Sequence, residues 1–251
     1  MFGFLGRTWS PELPEGSRVY AIGDVHGRLD LLVELLEMIR RDNATRLPAD
    51  TQIVQLGDLI DRGPDSAGVV ALSMQPLDFA SWTVLQGNHE AMMLDALAGN
   101  REALQGWLRF GGRESLMSWG VPQALLDRWD LVEITEAALA AIPEDQQQWL
   151  ASRTRGFHLG DYYFVHAGIR PRVPLDRQSD LDRLWIREPF LGSSARHFAM
   201  IVHGHSITPE VERLPNRIGI DTGAFATGKL TALGLDGPHQ WFIQTAGPEI
   251  A

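Results

Sequence analysis

The strongest constraint on the fold is a unit that occurs three times in the first hundred residues. In each copy a short β-prone run ends at a glycine, a polar loop follows, and the next residues have helical spacing. The three runs cover residues 18–22, 52–56 and 82–85, and the loops begin at Gly23-Asp24, Gly57-Asp58 and Gly87-Asn88. Repeated strand–loop–helix units predict an α/β fold in which helices cover a sheet.

The rest of the chain continues with helices and then with strands. Helices are predicted over residues 29–41, 65–74, 90–98, 101–110 and 135–151, and further strands over 162–166, 198–203, 217–220, 230–235 and 240–244. No linker-like or low-complexity segment interrupts the pattern. We therefore expect one domain over residues 1–251, with residues 100–155 as a helical insert within it.

Composition limits the kinds of site and partner. The chain has no cysteine, so disulfides and thiolate metal ligands are excluded. A net charge of −10 gives no overall attraction to nucleic acid or anionic membranes. The apolar run at residues 2–5 is too short for a signal peptide, and no stretch is long enough for a membrane helix. We expect a cytoplasmic protein whose oligomeric state cannot be predicted from the sequence.

Five polar segments follow β-prone runs, and all of them carry residue types that bind divalent cations. They are GDVHG at 23–27, GDLIDRG at 57–63, GNHE at 87–90, HAG at 166–168 and HGH at 203–205. Ligand sites in α/β sheets lie beyond the carboxyl ends of strands, so these segments should converge on one crevice. Their carboxylates, imidazoles and amide oxygen suit two hard or borderline metal ions. A turn or a structural histidine explains any one segment, but not the ordered set.

This ordered set resembles the signature of the calcineurin-like metallophosphoesterases over residues 18–235. The intact GDLIDRG and GNHE resemble the phosphoprotein phosphatase branch of that superfamily, which includes bacterial protein Ser/Thr phosphatases. Residues 184–188 (LWIRE) resemble the Trp-x-Arg segment of small phage and bacterial phosphatases, and residues 220–223 resemble their late Asp-Thr-Gly turn. The resemblance implies a four-layer α/β/β/α sandwich of two mixed sheets flanked by helices.

The resemblance also implies the metal ligands, motif by motif. Two divalent ions are expected, with Mn favoured and Fe, Zn or Mg as alternatives. The first ion would be bound by Asp24 and His26, the bridging ligand would be Asp58, and the second ion would be completed by Asn88, His166 and His205. His203, two residues before His205, is expected to support the ligands without binding an ion.

The implied reaction is hydrolysis of a phosphomonoester by direct attack of a metal-bridging hydroxide. Arg62 and Arg187 would hold the phosphate oxygens, because a guanidinium fork pairs with two oxygens at once. His89 would protonate the leaving alkoxide as general acid. Asp61 would accept the other ring N–H of His89 and stabilise the imidazolium.

One position departs from the pattern of the phage and eukaryotic phosphatases. These enzymes usually have arginine before Gly-Asn-His, and this chain has Gln86, which carries no charge. Arg113, in a Gly-Gly-Arg-Glu segment that resembles a glycine-rich stretch of small bacterial members, is a candidate to bind substrate in its place. A surface arginine after a helix-ending glycine pair is an equally good interpretation. Arg109 and Arg170 are weaker candidates for the rim.

Two other functions remain open at this stage. A sister branch of the superfamily hydrolyses dinucleoside tetraphosphates symmetrically, and Trp107, Trp119 or Trp129 could then stack on bases. Asp61 and Glu90 favour the protein phosphatase branch and a phosphorylated protein or peptide as substrate. A phospho-ligand-binding module without turnover is the third hypothesis, and the complete set of ligands and acid argues against it.

Overall fold

The computed structural model describes residues 9–247, so the N-terminal run at residues 2–5 lies outside the described residues. Within these residues, ten strands form two sheets of five. In chain order the strands are β1 (Ser17–Ile22), β2 (Asp50–Gln55), β3 (Ser81–Val84), β4 (Phe157–Leu159), β5 (Tyr162–Val165), β6 (Met200–His203), β7 (Glu212–Arg213), β8 (Arg217–Gly219), β9 (Thr231–Asp236) and β10 (His239–Gln244).

Both sheets are mixed. The first has the order β10-β9-β1-β2-β3, and the second has the order β4-β5-β6-β8-β7. β1, β2 and β3 are parallel, while β9 and β10 are antiparallel to their neighbours. In the second sheet β5, β6 and β8 are parallel, with β4 and β7 antiparallel at the edges. Within each sheet, the carboxyl ends of the parallel strands therefore lie at the same edge.

Helices connect the strands and cover the sheets. They are α1 (Leu29–Ala44), α2 (Ser66–Ser73), α3 (Asn88–Leu97), α4 (Arg101–Trp107), α5 (Arg113–Ser118), α6 (Gln123–Asp127), α7 (Leu131–Ala141), α8 (Glu144–Ala151), α9 (Asp180–Trp185) and α10 (Ala224–Thr227). A π-helical turn, Leu108–Gly112, joins α4 to α5, and a short 3-10 helix covers Leu175–Arg177. No helix within residues 9–247 combines the length and apolar character needed to cross a membrane.

Successive residues of a strand point to opposite faces of its sheet, which explains how each sheet packs between two layers. In β1, Val19 and Ala21 lie in a core between the sheets, while Tyr20 and Ile22 face the core under α1. In β5, Phe164 faces the core between the sheets. Val165 faces a third core, on the outer side of the second sheet, where it packs with Phe190. The two mixed sheets flanked by helices confirm the predicted α/β sandwich, although its fourth layer is only α9 and irregular chain.

The structure corrects several predicted elements. The helix predicted over 135–151 is two helices, because Pro143 cannot donate the hydrogen bond that would continue α7 and instead precedes α8. The helix predicted over 101–110 ends in the π-helical turn. Helices α5 and α6 lie within the predicted helical insert but were not predicted individually, because each is too short to show helical periodicity. Strands β4 and β7 and helices α9 and α10 were not predicted.

Candidate active site

The carboxyl ends of five parallel strands, β1, β2, β3, β5 and β6, meet at one edge of the sandwich, and each is followed by one of the polar segments. Asp24 and His26 follow β1, Asp58 follows β2, and Asn88 begins α3 after β3. From the second sheet, His166 follows β5 directly and His205 follows β6. The structure therefore brings together side chains that are up to 181 residues apart in the chain, as in the contact between Asp24 and His205.

The loops that carry these side chains are strained. Residues 9–247 include seven non-glycine residues with positive φ, and five of them are His26, Asp58, Asp61, Arg62 and His205. Such backbone costs about 1–3 kcal/mol at each position and persists only where the surrounding structure holds it. Its concentration in these segments indicates that side-chain direction at this edge matters more than local stability.

Asp58 lies at the centre of the cluster. Its carboxylate oxygens are 3.5 Å from His26 Nε2, 3.8 Å from His89 Nε2 and 3.4 Å from His166 Nε2. The donor atoms of His26, Asp58 and His89 lie within 4.8 Å of one another, and so do those of Asp58, His166 and His205. Asp58 is the residue that the two groups share.

The tautomers of two histidines show that this cluster suits a cation. His26 Nδ1 donates to Ile60 O at 2.9 Å, and His166 Nδ1 donates to Leu56 O at 3.0 Å. Burial lowers the pKa of His26 to about 3 and also lowers the pKa of His166, so both rings are neutral at pH 7. Their Nε2 lone pairs therefore face the oxygens of Asp58, an arrangement that a divalent cation stabilises.

Asn88 and His205 extend the cluster on the side of His166. Asn88 Oδ1 lies 2.8 Å from His166 Nε2 and 2.8 Å from His205 Nδ1. Burial lowers the pKa of His205 to about 3, so this imidazole is neutral as well. The oxygen and nitrogen donors, without sulfur, match a site for borderline or hard divalent ions.

Asp24 lies beside the cluster and is held by backbone. Its two carboxylate oxygens accept from His205 N at 3.2 and 3.0 Å. This close approach requires glycine at position 204, because a Cβ there would lie 2.0 Å from Asp24 Oδ1. Burial, then the charges of Asp221 and Asp58, raise the pKa of Asp24 well above its usual range. Asp221, in the late Asp-Thr-Gly turn, is thus a second acidic neighbour that sequence reasoning did not assign to the site.

His89 and Asp61 form a buried hydrogen-bonded pair next to the cluster. His89 Nδ1 and Asp61 Oδ2 are 2.6 Å apart. Burial alone would lower the pKa of His89, but the charges of Asp58 and Asp61 and the hydrogen bond outweigh it, so the pKa is raised. Asp61 Oδ1 accepts from Trp107 Nε1 at 2.9 Å and from Ser115 Oγ at 2.6 Å. Helices α4 and α5, which carry Trp107 and Ser115, therefore help to orient the pair.

Glu90 organises the loop that carries Asp58 and Asp61. Its buried carboxylate accepts from Gly87 N at 2.8 Å and from the backbone N–H groups of Asp58, Leu59 and Ile60 at 3.0, 2.7 and 3.2 Å. Four charge-assisted hydrogen bonds fix the strained turn after β2 against the start of α3. The motif GNHE thus combines a polar cluster residue, the partner of Asp61 and a loop anchor.

Two arginines line the opening. A cavity of about 300 Å³ is bounded by cluster residues and by Arg62, Arg187, Met92, Phe110 and Trp185. Arg62 Nη2 lies 3.0 Å from His89 Nε2, and the guanidinium lies 4.8 Å from the centre of the Phe225 ring. Arg187 is exposed at the mouth. Two guanidinium groups beside a cation site are suited to an anionic group such as phosphate.

Six of the predicted residues do not line this cavity. Asp24, Asp61 and His166 are buried in the contacts described above, and Gln86, Arg113 and His203 have other partners. Gln86 is 2% exposed, and its Oε1 accepts from Arg155 Nε at 2.9 Å. The Arg113 guanidinium is hydrogen bonded to Leu126 O and Asp127, next to the cavity. His203 lies behind His205, with its ring edge-on to Phe190 and its Nδ1 bonded to Gly204 O at 3.0 Å.

With this geometry established, comparison with known proteins decides the family. The model of the calcineurin-like phosphoesterase family matches residues 17–222. This chain belongs to the calcineurin-like phosphoesterases. It is therefore a hydrolase of the metallophosphoesterase type, and all five strand-end segments lie within the matched residues.

Curated relatives of this chain include serine/threonine-protein phosphatases and symmetrical bis(5'-nucleosyl)-tetraphosphatases. The chain is 44% identical to serine/threonine-protein phosphatase 1 of Salmonella typhimurium over 81 residues, which cover 32% of this chain and 33% of that protein. It is 29% identical to serine/threonine-protein phosphatase 2 of the same organism over 85% of this chain and 90% of that protein. It is 31% identical to the symmetrical bis(5'-nucleosyl)-tetraphosphatase of Dechloromonas aromatica over 65% of this chain and 48% of that protein.

Solved structures of this family share the fold. A putative diadenosine tetraphosphatase superimposes with a TM-score of 0.65 and 20% identity, covering 96% of this chain and all of that chain. A cold-active protein-tyrosine phosphatase of a Shewanella species has a TM-score of 0.59 and 21% identity, covering 93% of this chain and 82% of that chain. At these identities the comparison establishes the two-sheet calcineurin-like architecture and nothing finer.

Several residues at the site were missed by sequence reasoning. Trp107 and Ser115 contact Asp61, and Phe225 contacts Arg62, but all three come from segments without a recognisable polar motif. Trp107, considered as a stacking surface, is fully buried, and Trp119 donates to Gln146 Oε1. The Gly111-Gly112 pair was the available signal, because it permits the close approach of this segment to Arg62.

Proposed function

We propose that this calcineurin-like phosphoesterase is a protein Ser/Thr phosphatase that uses two divalent metal ions, with manganese as the physiological metal. The observation that carries the proposal is the buried His89–Asp61 pair beside the His/Asp cluster. A leaving group such as the serine or threonine alkoxide needs a proton, and this pair can supply one. The relatives named serine/threonine-protein phosphatase support the same substrate class.

The proposed ion ligands are Asp24, His26, Asp58, Asn88, His166 and His205. Asp58 is the proposed shared ligand because it lies between the two groups of donor atoms. Bound divalent ions would supply electrophilic activation of the phosphate and of water. The neutral state of His26, His166 and His205 leaves nitrogen lone pairs available, so no proton has to be displaced from these nitrogens.

We infer that Arg62 moves when substrate binds. Its Nη2 donates to His89 Nε2 at 3.0 Å, so this nitrogen carries no proton in that arrangement. A phosphate bound between Arg62 and Arg187 would draw the guanidinium away from His89. His89 Nε2 could then be protonated while Nδ1 remains hydrogen bonded to Asp61. Substrate binding would in this way prepare the general acid.

The alternative substrate is a dinucleoside tetraphosphate, which is favoured by the relatives of that name. We would compare a phosphoserine or phosphothreonine peptide, a phosphotyrosine peptide and diadenosine tetraphosphate, using metal-stripped protein refilled with Mn, Fe, Zn or Mg. Hydrolysis of the phosphoserine and phosphothreonine peptides, highest with Mn, is expected. Preference for the nucleotide, with two diphosphates as products, would replace the proposal. Stoichiometric binding of phosphopeptide without turnover in any metal would indicate a binding module.

A further inference from the structure

A second cleft opens from the site cavity along the helical segment. It has a volume of about 620 Å³ and shares Arg62 and Phe110 with the site cavity. We call it the insert cleft; its lining residues are Arg62, Leu108, Arg109, Phe110, Gly111, Arg113, Glu114, Trp129 and Phe225. A substrate with its phosphate in the site cavity would therefore have its neighbouring groups within reach of the insert cleft.

Three of the nine residues that line the insert cleft are aromatic, and four are charged. Phe110 is 57% exposed and Trp129 is 39% exposed, while Phe225 is half-buried under the Arg62 guanidinium. Two other tryptophans between residues 100 and 155, Trp107 and Trp119, have their ring N–H groups bonded within the fold. Aromatic area left in solvent beside a phosphate site is area that a substrate side chain can cover.

The backbone at both exposed aromatic residues is irregular. Trp129 has a φ of 56° and is the first residue after Arg128, the C-cap of α6. Helices usually place glycine at this position. Phe110 lies in the π-helical turn, next to Gly111 with φ of 114°. A Cβ at residue 111 would lie 2.5 Å from Arg62 N, so this turn is pressed against the site loop. The strained backbone at Trp129 holds an exposed aromatic side chain at the cleft, which points to a binding role for it.

The polar lining indicates which ligand the cleft fits. The Arg113 fork is occupied by Leu126 O and Asp127, so it is not available to pair with a nucleotide phosphate. Arg109 is exposed in the same lining, and Glu114 adds a carboxylate that disfavours a polyphosphate. A third cleft, of about 720 Å³, shares Arg62 and Phe225 with the insert cleft. Its other lining residues combine the apolar Leu29, Val33 and Pro64 with the charged Arg28, Asp30 and Asp65. A symmetrical dinucleotide would call for two equivalent base platforms, and these clefts are unequal. An extended peptide, whose two flanks differ, suits them better.

We propose that the insert cleft binds an aromatic or large aliphatic side chain of a phosphoprotein, close in sequence to the phosphorylated residue. This inference rests on the proposed protein phosphatase function and names its sequence preference. Phe110 and Trp129 provide the contact surface, and Phe225 forms the wall that the cleft shares with Arg62. The preference arises because burying an apolar side chain beside the reacting phosphate lowers the free energy of the bound substrate.

The test uses phosphothreonine peptides that differ only in one flanking residue. Alanine is replaced by phenylalanine, leucine or aspartate at each of the three positions on either side, and kcat/KM is measured with the Mn-loaded full chain. Phenylalanine at one or two positions should raise kcat/KM by roughly 5- to 20-fold, the effect of burying part of an aromatic side chain. Aspartate at those positions should not raise it.

Variants then assign the preference to the cleft. Trp129→Gly places glycine where the left-handed backbone favours it, so this variant should fold at least as well as the parent protein. In Trp129→Gly and Phe110→Ala the ratio of kcat/KM for the phenylalanine and alanine peptides should fall toward one. Phe198→Ala is the matched control, because Phe198 is 68% exposed and lines none of these clefts. Its ratio should be unchanged.

The remaining outcomes overturn the inference in distinguishable ways. Peptides hydrolysed at equal rates whatever the flanking residue would leave the protein phosphatase function intact and remove the preference. A preference retained in Trp129→Gly and Phe110→Ala would place it elsewhere. Hydrolysis of p-nitrophenyl phosphate without hydrolysis of any peptide would refute both proposals. Loss of diadenosine tetraphosphate hydrolysis specifically in Trp129→Gly would identify the cleft as a nucleobase site instead.

Discussion

Trp107 Nε1 donates a hydrogen bond to Asp61 Oδ1 at 2.9 Å, while the other oxygen of Asp61 is 2.6 Å from His89 Nδ1. A tryptophan of the helical segment thus fixes the carboxylate that orients the proposed general acid. Ser115 Oγ, from the next helix, reaches the same oxygen at 2.6 Å. The helical segment is therefore a structural part of the site and not only a neighbour of it.

Trp107→Phe should lower kcat while keeping the ring that fills the core. The change removes one of two donors to Asp61 Oδ1, and a lost buried hydrogen bond costs about 1 kcal/mol, or roughly fivefold in rate if it is felt in the transition state. Trp119→Phe is the matched control, since Trp119 Nε1 donates to Gln146, away from the pair. Equal effects of both variants on kcat for a phosphothreonine peptide would exclude a positioning role for Trp107.

His89→Asn should separate substrates by the basicity of their leaving groups. Without the proposed acid, hydrolysis of an alkyl phosphate should fall by about 10²- to 10⁴-fold. Hydrolysis of p-nitrophenyl phosphate should fall much less, because nitrophenolate leaves without a proton. His158→Asn, at an exposed histidine of β4, controls for loss of an imidazole. If both substrates lose the same factor, His89 is not the general acid.

Glu90→Gln should destabilise the fold more than its small change in shape implies. The carboxylate accepts from four backbone N–H groups, and the amide NH₂ of glutamine would face some of these donors. Leaving buried donors unpaired costs about 1–3 kcal/mol, which thermal unfolding would register as a lower Tm. Glu34→Gln, on the exposed face of α1, is the control and should leave Tm unchanged.

Asp182→Asn should show a pH-dependent loss of stability. Burial would raise the pKa of Asp182, but hydrogen bonds from Arg170 and Ser179 outweigh it and lower the pKa. Because the folded pKa lies below the unfolded value of about 3.9, the stabilisation is complete above that pH and is lost as pH falls through the folded pKa. The Tm difference between the two proteins should be constant from pH 8 to 5 and shrink below pH 4. A difference independent of pH would assign the effect to packing.

The parts of the fold that could be predicted are those that local pattern controls. Residues 18–22 and 52–56 were recognised as strands because apolar runs end there at glycine, and residues 29–41 as a helix because its leucines are spaced for one face. The polar segments gave the site's location for the same reason. The family signature then supplied the two-sheet sandwich.

The parts that could not be predicted depend on contacts between distant residues. Gln86 has Arg155 as its partner, 69 residues away, and no local pattern connects them. The partner of Arg113 is Asp127 of α6, a helix of five residues that is too short to show periodicity. Phe225 contacts Arg62 across the site from a four-residue helix. Each of these contacts is set by tertiary packing.

The division of the cluster between the two sheets links folding to function. Asp24, His26, Asp58 and Asn88 come from the first sheet, whereas His166 and His205 come from the second. Neither half of the chain contains a complete proposed ligand set. Two fragments divided in the turn between α8 and β4 should each lack activity and regain it only on reassembly. Metal ions should strengthen that association, so the protein could serve as a split reporter whose signal depends on metal.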